Sequence, residues 1–330
     1  MKKTLIIALI AIIACAGLFA NGSTEQTSQQ KSYSVNVASG FAPEGHVHDV
    51  IVKFKDKVES ATDGRVKVVI HPSGALGDER EIVEGLKAGT IEMGAQGIMD
   101  LTIYAPDLTV FEEPFVIRDL DHLNKFWNTI GEDINKQAEE KTGIITAAYA
   151  IRGARLITAN KEIKHPEDLK GLKFRLPSMP VRVKVFEAFG ATPTIIAFPE
   201  VYMALKTGTI DAQENPAETI YSYKYYEAQK YLIMTEHVWS TARYQISKAW
   251  FETISKEDQD MFLNAWKEAA EEVRKEVPDP DAYYVEQLKN LGMTVVEVDK
   301  NEFNQLAEPV MQEFDKTTWQ SGLRQKIMAL

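Results

Sequence analysis

Cysteine is nearly absent from this chain: Cys15 is the only one, and it lies inside an apolar N-terminal run. The remainder therefore has no disulfide, no thiolate metal or redox site and no cysteine nucleophile. Long apolar runs are equally scarce. The only one, Leu5 to Ala20, has 16 residues, short of the about 20 that a permanent membrane span needs. Excess positive charge is missing too. A net charge of −11 argues against nucleic acid or an anionic membrane surface as partner. It leaves an anionic ligand open, because charges are screened beyond about 10 Å and local cations in a cleft outweigh the global field. Also absent are a Gly-rich phosphate loop and the HExxH and GxSxG patterns. His46 and His48 stand two apart, unlike a helical metal pair at i, i+4, and read as a helix start. Glu112 and Glu113 read as solvated surface acids. Nothing points to an enzyme, a metal or a cofactor.

What is present begins with Lys2 and Lys3, a charged start to the apolar run, which ends in small residues. That pattern suits a secretory signal over 1–20. Two processings fit. Ile12-Ile13-Ala14-Cys15 resembles a lipobox, whose cysteine would carry a lipid, and Ala16 to Ala20 offers a cleavage site instead. Residues 21–32 (NGSTEQTSQQKS) are polar and aperiodic, a flexible tether. Residues 33–330 suffice for two domains with substantial cores.

The pattern then runs strand (34–39), amphipathic helix (45–62), a turn at Asp63-Gly64, strand (65–71) and helix (77–88), with Gly89 as its stop. Short connections between such elements indicate a parallel sheet covered by helices. A second lobe is expected from about Ile151, where Arg152 and Arg155 flank Gly153 at a crossing followed by a strand. Further on, 172–176 reads as a strand stopped by Pro177, and 255–276 as a long helix with Ser255 and Asp258 in a capping-box arrangement.

One stretch recurs. Gly85-Leu-Lys-Ala-Gly-Thr-Ile-Glu92 and Ala204-Leu-Lys-Thr-Gly-Thr-Ile-Asp211 share five of eight positions. Each places a helix stop at glycine, with a strand to follow. A helix stop of this kind before a strand is common in α/β chains, so coincidence is one reading. The other is two lobes on one plan, each presenting a strand end to a shared crevice, as ligands of open α/β sheets sit at carboxyl ends of strands. Gln96 to Ile98 and Gln213 to Pro216 then become candidate site segments.

Arg175 stands in a short strand between Phe174 and Leu176. A guanidinium near an apolar interior needs a partner. That partner is either one of the chain's many acids or a ligand carboxylate held bidentately. Asn215, pushed to extended backbone by Pro216, either points into a crevice or caps the helix that follows. Trp239, Tyr244, Phe41 and Phe115 are candidates for apolar walls, although aromatic residues more often fill cores.

Pro72-Ser-Gly-Ala-Leu-Gly-Asp-Glu-Arg80, Gly153-Ala-Arg155, Gly171-Leu-Lys-Phe-Arg-Leu-Pro177, Phe198-Pro-Glu-Val-Tyr-Met-Ala-Leu205, Gln213-Glu-Asn-Pro216 and Met234-Thr-Glu-His237 occur in that order. Together they resemble the solute-receptor subunit of TRAP (tripartite ATP-independent periplasmic) transporters, from about residue 33 to the C-terminus. The resemblance implies a periplasmic-binding-protein-like α/β clamshell with two interleaved lobes, 33–152 plus 241–278 and 153–240 plus 279–330, and a long bracing helix. It implies an exported monomer that binds a small organic acid and delivers it to the small and large integral membrane subunits of a permease. An alternative role is a ligand-presenting sensor for a chemoreceptor or histidine kinase. The position of Arg175 is implied to make the main carboxylate salt bridge, with Arg155, Asn215 and Phe198 lining the cleft. Arg152, Gly97, Ser178 and Trp239 complete the expected set. Sialic-acid receptors carry asparagine where Ser178 stands, and a glutamate and an arginine near Gly97 and Asp100, so that ligand is disfavoured.

Overall fold

The computed structural model describes residues 31–330. The signal segment, Cys15 and residues 21–30 of the tether lie outside the described residues. No helix among the described residues is long and apolar enough to cross a membrane.

Among the described residues ten strands form the frame: β1 (Tyr33–Ser39), β2 (Val66–His71), β3 (Met93–Gln96), β4 (Ile144–Ala159), β5 (Lys173–Leu176), β6 (Thr192–Ile195), β7 (Ala212–Pro216), β8 (Tyr231–Ile233), β9 (Trp239–Ser247) and β10 (Thr294–Val296). The main order is β2-β1-β3-β9-β4-β7-β5-β6, with β8 and β10 branching from β4. β2-β1-β3 is a parallel set, and β9 joins β3 antiparallel. β6-β5-β7 is a second parallel set, and β4 joins β7 antiparallel. Each half thus has the same order, 2-1-3 and 6-5-7, followed by one antiparallel strand. This is the mixed α/β two-lobe architecture expected from the sequence.

The recurring stretch builds the same turn in both halves. The carbonyl of Gly85 accepts from the N–H groups of Thr90 and Ile91, at 3.0 and 3.2 Å. Ala204 does the same for Thr209 and Ile210, at 2.9 and 3.3 Å. Gly89 (φ 77°) and Gly208 (φ 70°) take the left-handed conformation that reverses the chain. The acid that follows anchors the neighbouring strand. Glu92 accepts the Asn36 N–H at 2.9 Å, one residue before Val37 pairs with Met93. Asp211 accepts the Lys173 N–H at 2.8 Å, one residue before Phe174 pairs with Ala212. Shared hydrogen bonding at equivalent register is hard to obtain by coincidence, and it aims the carboxyl ends of both strand sets into one crevice.

The 79–88 helix starts two residues later than its periodicity suggests, because Asp78 caps it. Asp78 accepts the Glu81 N–H, and Glu81 reaches back to the Asp78 N–H, each at 2.9 Å. The long helix Lys256–Glu276 is capped by Ser255 alone. Asp258 does not return the bond and instead binds Arg65 and the Tyr33 hydroxyl. This helix buries Phe262, Trp266, Ala269 and Val273 with Phe54 of the 46–61 helix and with Tyr244 of β9. Phe54 and Tyr244 both stack on Trp266, at 3.7 and 4.9 Å between centroids.

One expectation changes. The presumed crossing near Ile151 is no loop: β4 runs unbroken for 16 residues. It pairs with β9 from Ile144 to Ala154 and with β7 from Arg155 to Ala159. A register shift between Ile151 and Gly153 marks where it passes from one sheet half to the other. Gly153 sits there at φ 99°, and the next N–H, of Ala154, is taken by the Asp281 carboxylate at 2.8 Å.

Candidate functional site

Both strand sets end at a cavity lined by Glu79, Gly97, Ile98, Met99, Glu112, Arg152, Arg155, Arg175, Pro177, Met179, Arg182, Phe198 and Asn215. Its atom-free space is about 440 Å3, of which about 40 Å3 admits the centre of a water molecule. The residues come from β4, β5 and β7, from the segments after β3, β5 and β6, and, for Glu79, from the start of the 79–88 helix. Phe198 packs among Val37, Phe41 and other residues of the first core, and the Tyr223 hydroxyl donates to the Gly40 carbonyl.

Four arginines approach the cavity, Arg152, Arg155, Arg175 and Arg182, with exposures of 5, 4, 2 and 2%. Burial of that degree is tolerable for a cation only with compensation. Two have it. Arg155 forms a salt bridge to Glu214 through Nε, and its Nη2 donates to Glu214 Oε1 at 2.8 Å, to the Glu214 carbonyl at 2.8 Å and to Asn215 Oδ1 at 3.1 Å. Burial works against the Arg155 charge, but Glu214 more than offsets it and holds its pKa above the ordinary value. Burial likewise works to raise Glu214, yet Arg155, His237 and Arg182 together hold it far below the usual carboxylate range. Arg182 stands between Glu112 and Glu214, 3.8 and 3.9 Å away, and donates to the Glu112 carbonyl at 3.0 Å. Burial lowers the pKa of His237. The neutral ring therefore donates from Nε2 to Glu214 (3.1 Å) and accepts at Nδ1 from Thr235 (2.8 Å).

The other two arginines lack a carboxylate. Among the described residues, no acid lies within 4.0 Å of Arg175 or Arg152. Arg175 donates from Nε to the Ile196 carbonyl at 2.9 Å, and its guanidinium carbon lies 5.9 Å from the Phe198 ring centroid. Arg152 donates from Nη2 to the Thr219 hydroxyl at 2.7 Å and sits 4.8 Å from the Phe41 centroid, while its buried Nε finds no acceptor. Burial lowers the pKa of both. Of the two partners considered for Arg175, an internal acid is not the one the structure supplies.

Six of the eight sequence-picked residues line the cavity: Arg175, Arg155, Asn215, Phe198, Arg152 and Gly97. Asn215 caps no helix. Its amide is spent on Arg155 and on Gln213, to which it donates at 2.6 Å. The structure does not bring Ser178 or Trp239 to the lining. Ser178 is exposed just past the strand end, and Trp239 packs in the core with Phe174 and Phe186. Tyr244 is a core residue whose hydroxyl binds the Val47 carbonyl. Glu112 and Glu113 are not surface acids. They are 3 and 2% exposed, and Glu112 accepts from the Thr241 N–H and hydroxyl at 2.8 and 2.7 Å. Their apolar surroundings, Val110-Phe111 and Pro114-Phe115-Val116, were the available signal. Glu79, Met99, Met179 and Arg182 were missed. Arg182 between Val181 and Val183 was a polar residue on a buried helix face.

A two-lobe α/β receptor with a buried, cation-rich crevice is the class that this geometry defines. Residues 38–317 match the family described as bacterial extracellular solute-binding protein, family 7, and the chain belongs to it. A solute-binding protein of Verminephrobacter eiseniae is 35% identical over 299 residues, covering 90% of this chain and 88% of that one. A TRAP periplasmic solute-binding protein from Polaromonas, solved with D-erythronate, superposes with a TM-score of 0.84 at 33% identity, covering 91% of this chain and 99% of that one. Another from Sulfurospirillum deleyianum, solved with succinate, gives a TM-score of 0.85 at 28% identity, covering 91% and 99%. The family is one of receptors, not enzymes.

Proposed function

We propose that this receptor captures a small organic acid by its carboxylate on Arg175 and hands it to the two membrane subunits of a TRAP permease. The observation that carries the reading is the unpaired guanidinium of Arg175, buried at the end of β5 and facing the cavity. Arg155, Asn215 and Glu214 serve as the rigid wall beside it, and the Phe198 ring lies over the Arg175 guanidinium. The lobes are proposed as 33–152 plus 241–278 and 153–240 plus 279–330, closing about β4 and β9. The place of action is the periplasm, as for the relatives. Acids held by those relatives, a hydroxylated monocarboxylate and a dicarboxylate, support the ligand class.

The test is a thermal-shift screen of the purified receptor against small organic acids, with neutral sugars and amino acids as controls, repeated on Arg175→Ala. A shift with an acid that disappears in the variant is expected. Shifts confined to neutral compounds, or an acid shift that survives Arg175→Ala, would overturn the reading. Affinity should fall by the cost of breaking a buried charge pair, roughly 2–5 kcal/mol.

A further inference from the structure

A second concave surface, sharing no residue with the cleft, lies along the free side of β4. β8 and β9 pair in succession with one side of β4, and β7 pairs with the other only from Arg155 onward. From Ile144 to Ala154 that other side has no strand among the described residues. The floor of the surface is Thr146, Ala147, Ala148 and Tyr149. Consecutive strand residues point alternately to opposite faces, so a trench that all four line runs along the edge of the strand and not over one face. The Tyr149 carbonyl opens to it, and Arg274 Nη2 reaches that oxygen only at 3.5 Å. Helices form the walls. Tyr149 and Ile151 turn to the core that holds the Gly131–Thr142 helix, Ala148 and Ala150 to the core that holds the long helix. The two helices therefore cover opposite faces of β4 and leave its edge between them. The atom-free space is about 1710 Å3, against about 440 Å3 in the cleft. Ala147, Ala148 and, on the wall, Ala270 are small and leave the strand backbone approachable.

Charge names the occupant. The chain carries a net −11, yet the charges left unpaired in the trench are mainly positive. Of its acids, Glu139 is taken by Lys248 at 2.7 Å and Glu271 by Lys275 at 2.9 Å, which leaves Glu132. Lys136 on one wall and Lys267 on the other make no hydrogen bond or ion pair among the described residues. Arg274 meets only the Tyr149 carbonyl and ring. We propose that this trench docks an acidic, extended segment of a partner protein, which adds a strand to the free side of β4. Its backbone pairs with the open edge. Its side chains alternate between the two walls and meet Lys136 on one, Lys267 and Arg274 on the other. Four strand residues span only about 13 Å, so the contact is short and its affinity modest.

The probes are acetylated, amidated hexapeptides titrated calorimetrically onto the full receptor. One is Glu-Val-Glu-Glu-Val-Glu, which places acids on both faces of a strand, and the other is its lysine counterpart. The acidic peptide should bind with a Kd below about 1 mM and should slow amide hydrogen exchange at residues 145–149. N-methylating it at alternate residues, in both registers, should abolish binding in one register only, because a strand pairs through one of its edges. Lys136→Glu combined with Lys267→Glu should weaken the acidic peptide at least about tenfold and strengthen the basic one, with the melting temperature of wild type showing an intact fold. Lys136→Gln with Lys267→Gln, which adds no repulsion, should weaken the acidic peptide by a smaller factor. The proposal is overturned if the basic peptide binds wild type as tightly as the acidic one, or if exchange slows elsewhere and not at 145–149. It also falls if both or neither of the N-methylated registers lose binding, if the charge reversals change nothing, or if no peptide binds at about 1 mM. None of these outcomes bears on Arg175, since cleft and trench share no residue.

Discussion

Glu113→Gln should remove a large part of the receptor's pH sensitivity. The Glu113 carboxyl is 2% exposed, and its Oε2 is buried without a hydrogen-bond partner. Burial pushes its pKa up to about 8, against the opposing pull of Arg182. In the unfolded chain the group ionises near its ordinary value of 4.5. Between these values the unfolded chain has released a proton that the native state keeps, so native stability falls as pH rises. The slope is about 1.4 kcal/mol per pH unit, which amounts to about 3 kcal/mol between pH 5 and pH 7.5. For a chain of this size that is a drop in Tm of about 5 °C. Glutamine keeps the shape and carries no charge, so the variant should lack this component. Asp281, pushed up to about 7 chiefly by burial, adds a slope of its own in both proteins. The test is therefore the difference between the two melting curves, followed by circular dichroism from pH 5 to pH 9. The variant should gain on wild type steadily above pH 5 and level off past pH 8. A difference that does not vary with pH would refute the argument.

Arg155→Ala leaves Glu214 buried with only His237 and the more distant Arg182, and should cost roughly 3–5 kcal/mol in a denaturant titration. Gly153→Ala forces a side chain into left-handed backbone, with a Cβ 2.2 Å from Asp281 Oδ1. It should cost at least about 2 kcal/mol. Gly208→Ala is its control, having the same sign of φ but no atom within 4 Å of the added Cβ, and should cost only about 1 kcal/mol.

The parts of the fold legible in the sequence were those written locally. Gly89 and Ser255 each mark a helix end through their own backbone conformation or hydrogen bond, and both stand where the sequence put them, whereas Asp78 moves the start of its helix two residues past the expected one. The recurring Leu-Lys-x-Gly-Thr-Ile stretch was legible as a pattern. Its meaning lay in a long-range bond, from Glu92 to Asn36 and from Asp211 to Lys173, which no local window contains. The continuity of β4 was hidden for the same reason. Gly153 reads as a break, but the break is repaired by β9 on one side and by Asp281 of a distant helix on the other. At the site, Arg175 and Asn215 were found because both lie in motifs that carry the family resemblance, Arg175 as a charge between apolar neighbours and Asn215 before a proline. Glu79 and Arg182 were not, since both sit on helices whose cavity-facing side depends on how the two halves meet. Ser178 and Trp239 failed in the opposite way. Ser178 lies between the lining residues Pro177 and Met179, and Trp239 pairs with Ala154 beside Arg155, yet such proximity does not say which way a side chain faces.

The division of labour among the four arginines bears on closure as well as on affinity. Arg155 and Arg182 carry their counter-charges with them, so hiding them from water costs little more than was already spent in folding. Arg175 and Arg152 do not, although both are buried at the cavity. In an open receptor water would solvate these two guanidiniums. Closing without an anion therefore strips hydration from two cations and returns nothing, whereas closing on a carboxylate replaces water with a bidentate partner in a medium of low dielectric. Only such differential stabilisation can move the equilibrium. The residues that bind the ligand thus also oppose empty closure, and Arg175→Leu should relieve that opposition. By small-angle scattering, the ligand-free variant is expected to have a smaller radius of gyration than ligand-free wild type, and adding acid should change it no further. A ligand-free variant as extended as wild type would show that something other than the unpaired charge keeps the empty receptor open.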